Sequence, residues 1–234
     1  MTGIERRSVE KLKSKDFCDK GMEDDRGSRL CKDNVSCRDE ECVKCLEGKM
    51  KLLKLLIDSG HGGKDSGAVS KETGIEEEDI SLNVVFKLGN ILRAEGHNVL
   101  YTRDKDTYIS PTDRLKMIVS YNPDAFISIH CNSSKNPQAH GIETIYRDDE
   151  DYPLAAAIHK SLIANTEFKD RGIKQDGSPE YNRGLAVLKN LKVPSCLVEL
   201  GFMSNESDLE QMDEENETEN IAQAIAEGVN EYAS

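Results

Sequence analysis

No stretch of this chain is both apolar and long enough to cross a bilayer. The densest apolar run, Leu52 to Ile57, is short and is interrupted by Lys54, whereas a spanning helix needs about 20 apolar residues. No secretory signal is legible either. Met1-Thr2-Gly3-Ile4-Glu5-Arg6-Arg7 runs into a charged stretch, Ser8 to Lys15, with no apolar core. A chain made in the cytosol, with no membrane partner, is the expectation. Proline is scarce, at 6 residues, and 17 Gly in 234 residues are far too few for a collagen-like repeat. No internal repeat is present.

An excess of basic charge is also missing. The net charge is −13, and it is unevenly placed. Residues 1–50 hold 12 basic and 12 acidic side chains and sum to zero; residues 51–234 hold 19 basic and 32 acidic ones. A body this acidic repels nucleic acid and anionic lipid, so neither is expected as a partner. Seven Cys are present, five of them within Cys18–Cys45, with only Cys131 and Cys196 beyond. That crowding points to a separate local feature and not to a disulfide framework for the whole chain.

The composition therefore divides the chain in two. Residues 1–48 form a charged, Cys-rich leader whose few aliphatics show no period of 2 or 3.6, so they cannot build a core alone. Cys42-Val43-Lys44-Cys45 has the spacing of half a zinc knuckle, with Cys31 and Cys37 as loosely spaced partners and Cys18 left over. A structural metal site, adventitious disulfides and a disordered leader are the three readings of this segment. Residues 49–234 are a second unit of ordinary single-domain size.

In the second unit, strands alternate with helices. Residues 52–58, 98–102, 125–129, 141–146, 185–188 and 196–198 read as strands. Ile80, Val84, Leu88, Ile91 and Leu92 recur at helical spacing, and residues 112–121, 152–166 and 221–232 also read as helical, with a weaker stretch from Leu209. The fold class that follows is α/β, a twisted, mainly parallel sheet with helices on both faces, preceded by the short Cys-rich segment.

In such sheets ligands bind beyond the carboxyl ends of the strands. Asp58-Ser59-Gly60-His61-Gly62-Gly63 follows the first strand, His130 follows the third, and Glu199 follows the last. Glu76-Glu77-Glu78-Asp79, just ahead of the first helix, adds carboxylates near the same rim. Two imidazoles and a carboxylate suit a catalytic Zn²⁺, because three protein ligands leave a fourth position for water. A further, non-ligating Glu can act as general acid/base, an effect worth about 10²–10⁴ in rate.

Each of these residues has a blander reading. Gly60-His61-Gly62-Gly63 resembles a phosphate-cradling turn, but the acidic body and the lack of a following Lys-Ser/Thr argue against it. The three glutamates also favour a helix N-terminus, and two of them are expected to do only that. His130 alone reads as a hydrogen-bonded strand-end histidine; the rim it shares with His61 reverses that reading. Glu199, flanked by apolar residues, reads as semi-buried. His97 and His159 are expected to be structural, His140 lies in a loop near the rim, and Cys131 and Cys196 are expected to pack as small apolar groups. The runs Asp148-Asp149-Glu150-Asp151 and Asp213-Glu214-Glu215 read as solvated loops.

From Lys54 to the C-terminus the chain resembles the zinc-dependent N-acetylmuramoyl-L-alanine amidases of the Amidase_3 type, found in autolysins, sporulation amidases and phage endolysins. Six ordered motifs carry the resemblance: Leu56 to Ala68, Gly74 to Leu82, Thr102-Arg103-Asp104, Phe126 to Asn132, Gly141-Ile142-Glu143-Thr144, and Val198 to Asn205. Ser59 stands where that family more often has Pro. The resemblance implies zinc at His61, Glu77 and His130, with Glu199 as the catalytic acid/base. Glu77 is preferred over its neighbours because the family's ligand is followed by any residue, then Asp, then an aliphatic.

The implied reaction is hydrolysis of the amide between the lactyl group of N-acetylmuramic acid and the L-alanine of the stem peptide in peptidoglycan. Some relatives insert an inhibitory helix after the second zinc His; Ser133 to His140 is too short for one, so an open site is expected. Peptidoglycan is the implied partner and a monomer the expected state, since no dimer seam is legible. Without a signal, an endolysin or another cytosol-made lysin that reaches the wall on release fits better than a secreted autolysin. Two other functions compete: a wall-binding module that kept the fold, and a zinc hydrolase of a different amide.

Overall fold

The computed structural model describes residues 50–234. The Cys-rich leader, with its Cys18, Cys31, Cys37, Cys42 and Cys45 readings, lies outside the described residues.

Six strands form one sheet. They are β1 (Lys54–Ser59), β2 (Asn98–Tyr101), β3 (Ala125–Asn132), β4 (Ile142–Tyr146), β5 (Asp170–Gln175) and β6 (Ser195–Phe202). The helices are α1 (Glu77–Ala94), α2 (Pro111–Tyr121), α3 (Tyr152–Asn165), α4 (Glu206–Asp213) and α5 (Glu215–Tyr232). The strand order is β2-β1-β3-β6-β4-β5. Every neighbouring pair is parallel except β4 with β6, which is antiparallel. So β4 and β5 run against the other four strands, and their starts lie at the rim where β1, β3 and β6 end.

Side chains alternate across the sheet as strand geometry requires. Leu55, Ile57, Ile127, Ile129, Cys196 and Val198 face the larger core, built with α1, α3, α4 and α5. Leu56, Phe126, Ile145 and Leu197 face a smaller core under α2 and the segment around Val187 and Leu188. Continuous apolar strands are what burial on both faces demands.

The helix ends follow local chemistry. Ser110 caps α2 by accepting from Asp113 N at 3.1 Å, with Pro111 in the first turn, and Asn122 stops it in the left-handed region. Asn205 caps α4 through Asp208 N at 3.1 Å. Two histidines act as staples, as expected. His97 Nδ1 accepts from Leu53 N while its Nε2 meets Asn230 Oδ1, both at 3.0 Å, tying α5 to the residue that leads into β1. His159 joins Thr144 on β4 to Asp170 on β5, also at 3.0 Å on each side. Cys131 and Cys196 are buried free thiols, and burial raises both pKa values.

Three expectations need correction. Residues 185–188 are not a strand: Ala186–Leu188 is a short 3₁₀ turn whose Val187 and Leu188 plug the smaller core. An apolar run this short does not by itself separate a strand from a buried turn. β5 was not expected, because Asp-Arg-Gly-Ile-Lys-Gln is a polar edge strand with no alternation. His130 and Glu199 do not follow their strands but lie within β3 and β6, which run on past them. Among the described residues, no helix lies between β3 and β4, and none is long and apolar enough to cross a membrane.

Candidate metal centre

His61 enters the rim on the loop that follows β1. Its backbone is left-handed, with φ 57°, an uncommon state for a non-glycine residue. Two arginines hold this loop by its carbonyl oxygens. Arg114 donates to Ser59 O and, at 2.6 Å, to His61 O; Arg103 donates to Gly60 O and Glu78 O, each at 2.8 Å. Arg114 is anchored by the fully buried Asp58 at the end of β1. Asp58 also accepts from Thr102 and Ser128, both at 2.6 Å. Burial works against its charge, but Arg114 and the two hydroxyls prevail and hold its carboxyl below the usual range.

Glu77 is the first residue of α1 and is buried. Its Oε1 lies 3.0 Å from His61 Nε2 and 3.0 Å from His130 Nδ1. Two backbone N–H groups complete its cradle, Cys131 N to Oε1 at 3.0 Å and Ala68 N to Oε2 at 2.9 Å. The two imidazole rings meet edge-on, with centroids 4.9 Å apart. Asp65 Oδ2 lies 3.0 Å from His61 Nδ1, off the hydrogen-bond axis.

Two glycines make this closeness sterically possible. A Cβ on Gly60 would stand 2.3 Å from His130 Cε1. One on Gly67, whose φ is +68°, would stand 2.6 Å from Glu77 Oε2 and 2.7 Å from His61 Cδ2.

The electrostatics show that the cluster calls for positive charge. Burial alone would depress the His61 pKa, but Glu77 and then Asp65 raise it to about 9. Burial would likewise raise Glu77, yet His130 and His61 hold its carboxyl well below the usual carboxylate range. One ligand atom from each of His61, Glu77 and His130 lies within 4.8 Å of the others, so the three can hold a metal ion. Two nitrogens and one oxygen form a donor set that suits Zn²⁺ and leaves a fourth position open. Glu76 and Glu78 stay outside: Glu76 flanks the helix start, and Glu78 pairs with Arg103 at 3.3 Å. His140 also stays outside, with its Nδ1 2.8 Å from Gln138 O.

Glu199 stands beside this cluster. It is paired in register with His130 across β3 and β6, so the two side chains leave the same face of the sheet. It is only 3% exposed. Its Oε1 accepts from Arg183 Nη1 at 2.6 Å, and its Oε2 is buried with no partner. Burial raises its pKa more than His130 and Arg183 lower it. A carboxylate with raised proton affinity and one open oxygen suits a group that takes and returns a proton.

Glu143 extends the row. It is in register with Glu199 across β4 and β6. It accepts from Asn132 Nδ2 at 3.0 Å, Tyr181 OH at 2.8 Å and Arg171 Nε at 3.1 Å. Glu143, Arg171, Tyr181 and Arg183 had no role assigned from the sequence. Looking past strand ends misses Glu143 and Arg171, because β4 and β5 run in reverse and bring their first residues to this rim.

Residues 55–231 match the family described as Amidase_3, N-acetylmuramoyl-L-alanine amidase. The chain is 34% identical over 196 residues to the uncharacterized protein YqiI of Bacillus subtilis (strain 168), covering 82% of this chain and 88% of that protein. It is 33% identical over 184 residues to the N-acetylmuramoyl-L-alanine amidase LytC of the same strain, covering 76% of this chain but only 35% of LytC. Its structure is similar to the catalytic domain of CwlV, an N-acetylmuramoyl-L-alanine amidase from Bacillus (Paenibacillus) polymyxa var. colistinus. The TM-score is 0.71 at 32% identity, covering 78% of this chain and 98% of that one.

Proposed function

The chain belongs to the Amidase_3 family of N-acetylmuramoyl-L-alanine amidases, and from that membership we propose that it is a zinc-dependent amidase acting on peptidoglycan. The bond cut is the amide between the lactyl group of N-acetylmuramic acid and the L-alanine that opens the stem peptide. His61, Glu77 and His130 are the zinc ligands, and Glu199 is the general acid/base. The observation that carries this reading is the adjacency of the three-residue cluster and Glu199, whose free oxygen is buried beside it.

When bound, Zn²⁺ supplies a water of pKa near 7 and polarises the substrate carbonyl. The chain's residues do the rest. Cys131 N and Ala68 N fix the Glu77 carboxylate, so the ligand set is formed before the ion arrives. Arg114 and Arg103 hold the backbone of the His61 loop. Glu199 takes the proton of the attacking water on Oε2 and hands it to the departing alanine nitrogen. The connection from Ser133 to His140 is short and carries no helix, so it places no blocking helix over the rim.

The test is product analysis. Peptidoglycan digested by the zinc-loaded chain is to release peptides with a free L-alanine amino terminus and leave glycan strands whose lactyl groups are free acids. Cuts within the peptide instead would keep a metallohydrolase and discard the amidase assignment.

A further inference from the structure

Glu199 sits on a central strand, but what orients its carboxylate comes from a loop. Among the described residues, Arg183 is its one hydrogen-bond donor, through Nη1 to Oε1 at 2.6 Å. Arg183 belongs to the connection between β5 and the Ala186–Leu188 turn, and this connection is tied down at three places. At the foot, the buried Asp176 accepts from Gly184 N and Leu185 N, each at 2.9 Å, and from Arg147 Nη1 at 3.0 Å. In the middle, Gly177 N donates to Tyr181 O at 3.0 Å, and Tyr181 OH reaches Glu143 Oε1 at 2.8 Å. Beside that foot, the Arg183 guanidinium meets Glu199 and lies 3.9 Å from Glu143 Oε1.

We propose that Arg183 is a positioning residue for Glu199: its grip on Oε1 leaves Oε2 free and fixed beside the His61, Glu77 and His130 cluster. The proposal rests on the acid/base role assigned to Glu199 above. Three physical points support it. The last torsion of a glutamate is broad and nearly two-fold, so an unheld carboxylate samples many orientations. One charge-assisted hydrogen bond to a single oxygen selects among them. Glu143 and Glu199 are neighbouring buried carboxylates in register, and a cation between them keeps them from repelling each other out of place. Arg183 itself cannot exchange protons in the working range, so it orients and does not relay. Its side chain is 41% exposed, so the group that orients Glu199 is itself open to solvent.

The experiment is a double-mutant cycle on the full chain, with Arg183→Ala, Arg183→Lys, Glu199→Gln and Arg183→Ala/Glu199→Gln. For Arg183→Ala the expected result is kcat lower by about 10- to 100-fold, with KM and zinc content as in the wild type. Arg183→Lys should recover most of that loss. In the Glu199→Gln background, removing Arg183 should change the rate by less than about two-fold, since two residues acting as a unit do not add. A second reading needs no activity. In the metal-free chain, Arg183→Ala should lower the melting temperature by about 4 °C, and by much less once Glu199 is Gln.

Equal losses in both backgrounds would overturn the proposal. So would a raised KM at unchanged kcat, which would make Arg183 a substrate contact instead. Absence of coupling in the melts would overturn it independently. If the wild type fails to cut the lactyl amide, the functional reading falls on its own, and the thermal cycle still decides whether Arg183 holds Glu199.

Discussion

His130 and Glu199 stand side by side, paired in register on β3 and β6 with their side chains on the same face. The proposed metal ligand and the proposed proton carrier thus sit one strand spacing, about 4.8 Å, apart. Neither needs a flexible loop to reach the other, so substitutions can separate their roles.

Glu199→Gln keeps the shape and removes the proton chemistry. Zinc content should stay near one per chain, and activity should fall by about 10² or more. Stability should hold or rise, because the variant no longer buries a charge with an unpartnered oxygen. Metal analysis, steady-state rates and a thermal melt check the three parts, and near-normal turnover would remove Glu199 from the mechanism.

His61→Ala should have a different signature, with bound zinc well below one per chain and activity lost with it. Gly67→Ala tests the same centre without replacing a ligand. Its Cβ would crowd Glu77 Oε2 and His61 Cδ2, and its φ of +68° disfavours any side chain. Zinc affinity should drop by at least about 10-fold, a range typical of disturbed ligand support, and stability by about 1 kcal/mol. Competition against a chromogenic chelator measures the affinity; an unchanged value would show that the loop yields without cost.

The raised His61 pKa has consequences for pH. In the metal-free chain, protonated His61 is stabilised by Glu77 and Asp65, so its contribution is fully present below the ordinary value of 6.5. It is lost as pH rises through about 9. Glu77 acts oppositely: its carboxyl is held below 4.5, so its contribution is present above that value and is lost as pH falls toward the depressed pKa. Metal-free stability from this cluster should therefore peak between about pH 5 and 6.5. Zinc must displace the His61 proton, so its binding at pH 7 should release protons, and its affinity should climb toward pH 9. Calorimetry in two buffers of different ionisation enthalpy reads the proton count directly; a count of zero would contradict the coupling.

Arg114→Met should be among the most costly single changes. Arg114 and Asp58 are both buried, and removing one partner strands the other charge. A loss of about 3–5 kcal/mol is expected from urea unfolding. The same change should loosen His61, whose carbonyl Arg114 holds, so zinc affinity should fall even in molecules that remain folded.

The parts of the fold that were legible share one property: their own apolar spacing encodes them. β1 and β3 are continuous apolar runs buried on both faces, and α1 and α5 repeat at helical spacing. β5 had no such mark because it is a half-exposed edge strand whose pairing with β4 comes from tertiary context. Residues 185–188 carried an apolar signal but use it to plug the smaller core from a turn. At the site, motif and strand-end position were enough to single out His61, Glu77, His130 and Glu199, which the fold brings together. Glu143, Arg171 and Arg183 were not, because they reach the rim through a strand reversal and a distant loop that no local spacing records.

The most direct test of the central claim is a zinc titration of the metal-free chain with peptidoglycan cleavage followed at each addition. Release of alanine-headed peptides should rise linearly with zinc and break at one equivalent per chain, and His61→Ala should show no break at one equivalent. Full cleavage by the chelated chain, or cleavage that tracks zinc identically in wild type and His61→Ala, would contradict a reaction centred on His61, Glu77 and His130.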